Sequence, residues 1–212
     1  MPRSLVLSSA DGVSLEGELS LPAVAPSAAC VLCHPHPSYG GTMRSLVISE
    51  LFASLPDAGI ACLRFNFRGV EASGGSFDEG NGERLDVVAA LERMAGTPSA
   101  PGLAPGIPLV ALGWSFGADM ALASVTSDVT AWVGIAAPLR FAENFAAETD
   151  PRPKRILLAE HDEFQAPDIA GTRLDSWVNT SVTVVPGASH HFVGRTDRLV
   201  HHVREFVNTL VR

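Results

Sequence analysis

Gly113-Trp114-Ser115-Phe116-Gly117 lies between an apolar run, Ile107 to Leu112, and an alanine-rich run, Ala118 to Ala123. Strand, Gly-x-Ser-x-Gly, helix forces a turn so sharp that the serine takes a strained backbone. Glycine stands at both ends because a side chain there would collide with the strand or with the helix packed against it. Five residues of this kind also arise by chance. The rest of the chain has to agree with them.

It does so by alternation. Residues 4 to 21 alternate apolar and polar about Asp11-Gly12 and read as a β-hairpin. Ala28 to Cys33 is a continuous apolar run suited to a strand buried on both faces. His34 to Thr42, with two prolines and two glycines, is a shaped loop. Met43 to Leu55 has helical spacing and stops before Pro56. A strand from Ile60 to Asn66 leads into a Gly-rich loop, Phe67 to Gly82. The helix after it, about Glu83 to Met94, carries Leu85, Val88, Ala89 and Leu91 on one face. Gly96 to Pro108 reads as a surface connection. Beyond the Ser115 turn, Ala131 to Ala136 and Arg155 to Ala159 are strands, and the polar, aromatic-dotted segment between them has room for a short helix. Ser181 to Val185 is the last strand, ending at a Pro-Gly turn, and Asp197 to Val211 is a closing helix.

This pattern predicts a single α/β domain over residues 1–212. Its sheet is mainly parallel and twisted, of about 7–8 strands, with helices on both faces and an N-terminal β-hairpin. A large cap domain is not expected, since Ala136 to Arg155 leaves fewer than about 20 residues for one. In such sheets ligands bind beyond the carboxyl ends of the strands. The unusual loops after Cys33, Asn66, Trp114, Ala159 and Val185 all follow strand ends, so one shared site is expected there.

Composition removes several function classes. The net charge is −8, with Lys and Arg scattered, which argues against nucleic acid or anionic lipid as a partner. No apolar run reaches the ~18 residues of a membrane span, and the N-terminus lacks a signal-type apolar region. A cytoplasmic location follows as the expectation. Cys30, Cys33 and Cys62 lie in strand-like runs, where positions i and i+3 face opposite sides of the sheet. They read as buried free thiols, not a redox pair, and their odd number fits a reducing compartment. The chain is expected to act as a monomer or homodimer, without a cofactor or metal.

A serine hydroxyl needs a base to take its proton, and the base needs an acid to fix its tautomer and stabilise its charge. After the Ile156 strand comes Glu160-His161-Asp162-Glu163; after the Val182 strand comes Gly187-Ala188-Ser189-His190-His191. Among the acids Asp162 leads, with Glu163 and Glu160 behind it, and His190 leads His191 as base. Oxyanion donors are also needed. The backbone N–H of Phe116, at a helix N-terminus, is one, and His36 in the His34–Gly41 loop is the best second. Tyr39, Gly40, Trp114 and His191 are candidate substrate contacts. A metal site made of His34, His36, His190, His191 and Asp162 is a less economical reading, because it leaves the Gly-x-Ser-x-Gly turn unexplained.

With these residues in view, the chain resembles the α/β-hydrolase superfamily, most closely its small lidless bacterial hydrolases related to dienelactone hydrolases and acyl-peptidase-type domains. The matching stretches are His34-Pro35-His36-Pro37 with Gly40-Gly41-Thr42, Leu63 to Gly69, Gly113 to Gly117, His161-Asp162-Glu163 and Pro186 to Phe192. The resemblance implies Ser115 as nucleophile, His190 as base and Asp162 as acid, in a shallow, open site. It implies a serine hydrolase cleaving carboxylic esters of small to medium acyl groups. A thioesterase, a peptidase, or a non-catalytic binding protein of this fold are the alternatives. Two residues depart from the pattern: Glu71 stands where relatives have Gly, and Ser189 where they often have Asp.

Overall fold

The computed structural model describes residues 2–95, 104 and 106–211. Eight strands form one sheet: β1 (Arg3–Ser8), β2 (Ser14–Ser20), β3 (Ala28–Cys33), β4 (Ile60–Phe65), β5 (Leu109–Trp114), β6 (Ala131–Ile135), β7 (Lys154–His161) and β8 (Thr180–Ser189). Their spatial order is β1-β2-β4-β3-β5-β6-β7-β8. β1 and β2 pair antiparallel with Leu7 opposite Leu15, β2 runs antiparallel to β4, and all later pairs are parallel. The helices are α1 (Leu46–Ser54), α2 (Asn81–Ala95), α3 (Phe116–Ala123), α4 (Ala146–Thr149), α5 (Pro167–Leu174) and α6 (Thr196–Leu210). No described helix is long and apolar enough to cross a membrane.

The central strands β3 and β5 are buried at every position, as their continuous apolar runs require. One core layer lies under α2 and α3 and contains Val31, Cys33, Phe65, Phe116 and Trp132. The other lies under α1 and α6 and contains Cys30, Cys62, Leu112, Val133 and Val207. The period-2 alternation thus sends Cys30 and Cys33 to opposite faces. All three cysteines are buried free thiols, and burial pushes the Cys30 thiol up to about 12.

Several elements differ from the sequence expectation. The helix after the His34–Thr42 loop starts at Leu46, not Met43, because Asn66 Oδ1 accepts the Met43 N–H at 2.8 Å and Ser45 N–H turns back to Thr42. In α2 Ala89 and Leu91 are buried as expected, but the inward face runs through Val87, Ala90 and Met94 as well, while Leu85 is exposed. Two acids rotate that stripe inward. Glu83 accepts the Asp78 and Gly80 N–H groups, and buried Asp86 pairs with Arg68 at 2.7 Å. Helix α5 was not expected; Pro167 at its first turn is the signal that would have located it. The last strand runs on through Pro186-Gly187 to Ser189, the register shifting between Ala159 and His161 opposite it. Most of the Gly96–Pro108 connection lies outside the described residues.

The Leu63–Gly69 stretch anchors loops. Arg64 binds Glu18 at 2.6 Å, Asn66 Nδ2 donates to Glu16 and Glu71, and Arg68 joins Asp86 to Asp11 of the hairpin turn. Glu71 has φ +47°, a left-handed backbone that glycine adopts without penalty. Its carboxylate is held by Arg44 at 2.6 Å and by Asn66, contacts that offset the strain.

Candidate active site

Ser115 sits between β5 and α3 with φ 55° and ψ −123°, and its N–H donates to Ile135 O at 2.8 Å. The strained turn foreseen from the sequence is therefore present. A Cβ on Gly113 would land inside the Gly117–Ala118 backbone, and one on Gly117 inside the Cys33–His34 backbone. The two glycines let α3 start directly against the ends of β5 and β3, which holds the serine at the carboxyl edge of the sheet.

The loops after β7 and β8 bring the other two candidates to it. His190 Nε2 is 3.0 Å from Ser115 Oγ, and His190 Nδ1 is 2.9 and 3.0 Å from the Asp162 carboxylate oxygens. A carboxylate only accepts, so Nδ1 carries the proton and Nε2 is left to accept from the serine hydroxyl. Both side chains are shielded from solvent, His190 7% and Asp162 2% exposed. Burial raises the Asp162 carboxyl. The hydrogen bonds from His190 and from the Phe164 and Gln165 N–H groups outweigh burial and hold it below the ordinary carboxylate range. Asp162 is thus an anion facing the imidazole. Glu160 instead accepts the Gly187 N–H at 2.7 Å, and Glu163 lies near the His190 N–H and His191. Trp114 Nε1 donates to His190 O at 3.1 Å and fixes the loop that carries the imidazole; Phe164 packs edge-on against that ring at 4.7 Å.

Phe116, on the first turn of α3, and His36, in the loop after β3, flank the serine. Their N–H groups donate to no backbone acceptor among the described residues, and their rings pack 4.9 Å apart. His34 locks this loop. Its Nε2 accepts the Phe67 N–H at 3.0 Å, so Nδ1 bears the proton and donates to Pro35 O at 2.6 Å. The side chains of His34 and His36 diverge, His36 accepting from Ser38 N–H. No group of three or more His, Cys, Asp or Glu among the described residues could hold a metal ion.

A cleft of about 380 Å³ opens over Ser115, lined by His36, Tyr39, Gly40, Trp114, Phe141, Phe164, His190 and His191 among others. All four candidate substrate contacts border it. Phe67, Phe116 and Phe192 are buried in the core, and Phe77 borders an adjoining cavity of about 590 Å³. Pro138, Arg140 and the side chain of Asp119 were not singled out from the sequence. Pro138 and Arg140 line the cleft, and Asp119 supports its wall.

Two buried groups set opposing pH dependences. Burial lowers His34 to about 4 and raises Asp119 to about 6. As pH falls from 6.5 towards 4 the unfolded chain protonates His34 first, which removes stability. As pH falls through 6 the folded chain protonates Asp119 first, which adds stability. In Asp119→Asn the second effect is gone. Between pH 7 and 4.5 this variant loses about 2 kcal/mol more unfolding free energy than the wild type, read from urea midpoints at the two pH values. Equal losses would contradict the burial argument for Asp119.

No family model matches the chain. It is 30% identical over 202 residues to an uncharacterized protein of Rickettsia prowazekii, covering 89% of this chain and 82% of that protein. Among solved structures it is similar to XC6422 of Xanthomonas campestris, an α/β serine hydrolase without a lid, with TM-score 0.85, 27% identity and coverage of 99% and 95%. An α/β serine hydrolase homologue from Coxiella burnetii gives TM-score 0.79 and 29% identity, with 96% of each chain covered.

Proposed function

We propose that this chain, which belongs to the small lidless α/β serine hydrolases, cleaves carboxylic esters of small to medium acyl groups through an acyl-enzyme on Ser115. The single observation that carries the reading is the continuous hydrogen-bonded line Asp162–His190–Ser115, with distances of 2.9 and 3.0 Å. Ser115 Oγ attacks the ester carbonyl while His190 Nε2 takes its proton. The imidazolium so formed is stabilised by the Asp162 anion, and it returns the proton to the departing alcohol. The N–H groups of Phe116 and His36 receive the oxyanion. Donors of this kind contribute about 3 kcal/mol each to the transition state. Water, activated by the same imidazole, then releases the acid and restores the serine.

The open cleft and its aromatic walls support a small ester, with no cap domain among the described residues. The test is a panel of matched esters, thioesters and amides with acetyl and butyryl groups, together with labelling by a fluorophosphonate. Rapid labelling of Ser115 and kcat/KM highest on the oxygen esters is the expected result. Thioester turnover at least tenfold faster would move the activity to that class, and absent labelling would point to a binding protein.

A further inference from the structure

One buried carboxylate beside the site takes no part in the chemistry described above. Asp119 lies four residues after Ser115 on α3 and is fully buried. Its Oδ1 accepts the Leu139 N–H at 2.9 Å; its Oδ2 accepts the Arg140 N–H at 2.8 Å and the Phe141 N–H at 2.9 Å. Three consecutive amides of one loop therefore converge on one side chain of the helix that carries the serine.

The loop needs that support. Ala136 has φ 45° and Leu139 φ 54°, left-handed conformations that non-glycine residues rarely keep without external restraint. Leu139 is fully buried, while its neighbours Pro138, Arg140 and Phe141 border the cleft over Ser115. Arg140 and Phe141, with His36, also border the adjoining 590 Å³ cavity, whose further walls include Phe77, Asn81 and Ala142. The 139–141 segment is thus a partition between two spaces, pinned from behind by Asp119.

We propose that Asp119 is a positioning residue that sets acyl-chain selection, by tying the 139–141 partition to the helix of Ser115 so that the cleft ends at Phe141. With the tether intact, the space available to an acyl chain is the cleft alone, and short chains are preferred. With the tether released, the adjoining cavity joins the cleft and more than doubles that space. This inference rests on the acyl-transfer reading of Ser115.

The test compares p-nitrophenyl butyrate and octanoate in the wild type, Asp119→Asn and Phe141→Ala. Asparagine keeps the volume of aspartate but presents an NH₂ group to amide donors, so the partition loosens without a cavity in α3. In Asp119→Asn the octanoate-to-butyrate ratio of kcat/KM rises at least tenfold, mainly through KM. Phe141→Ala, which removes the partition's ring and leaves the tether, raises the ratio as well. An unchanged ratio in Asp119→Asn, or an equal fall on both esters, overturns the proposal, all the more clearly if Phe141→Ala raises it. Should the wild type turn over neither ester, the same ratio is read from the rates at which ethyl- and octyl-phosphonate p-nitrophenyl esters label Ser115. That readout needs a reactive serine but no ester substrate, so failure of the ester reading and failure of the partition are told apart. A serine that neither phosphonate labels overturns both.

Discussion

Replacing Ser115 with Ala lowers kcat on p-nitrophenyl butyrate by about 10⁶-fold, the magnitude seen when the nucleophile of a co-operating triad is removed. The size of the effect follows from the geometry. His190 Nε2 has one partner to deprotonate, the hydroxyl at 3.0 Å, and without it the imidazole can only activate water that no backbone turn holds in place. In the proposed mechanism what survives is the contribution of the Phe116 and His36 N–H groups and of binding, roughly 10³-fold over the reaction in water. The fold survives as well, since alanine fits the same φ of 55° no worse than serine does. Steady-state rates measured beside urea midpoints separate the two quantities. Equal rates in variant and wild type would sink the acyl-enzyme.

Asp162→Asn lowers kcat by about 10⁴-fold on the same ester. Asparagine can present an NH₂ to His190 Nδ1, which then accepts, so the imidazole proton moves to Nε2 and the base is lost while the shape of the site is kept. Glu163 and Glu160 lie within two residues of Asp162 and could not be excluded by position in the chain. They now serve as controls. Each accepts from backbone amides near the imidazole loop, at 3.3 Å and 2.7 Å, and replacing either with Gln costs less than about tenfold, roughly one hydrogen bond's net contribution. A loss at Glu163→Gln as deep as at Asp162→Asn would reassign the acid.

How much of this was legible in the chain varies from residue to residue. The turn at Ser115 could be read because its two glycines and flanking apolar runs are local consequences of a strand meeting a helix. The fully apolar runs of β3 and β5 declared a parallel sheet buried on both faces, and with it the edge where the loops converge. Asp162 and His190 are placed in the chain by that same topology, although choosing between Asp162 and its neighbours took the three-dimensional hydrogen bonds. The inner face of α2 was only partly legible. Ala89 and Leu91 are buried as expected, but Leu85 is exposed, because Glu83 and Asp86 count as polar in any periodicity, yet buried partners make them inward residues. The end of β8 was misjudged because Pro186-Gly187 is a turn signal that pairing with β7 overrides.

The sequence by itself determined the layered sheet, the strained serine and the order of the loops that carry Ser115, Asp162 and His190, since each depends on residues close together in the chain or on a simple period. Only the tertiary structure decided which carboxylate faces the imidazole, which residues line the cleft, and that Asp119 accepts the amides of its wall. Those depend on hydrogen bonds between segments twenty or more residues apart, and no local pattern carries the distance between them.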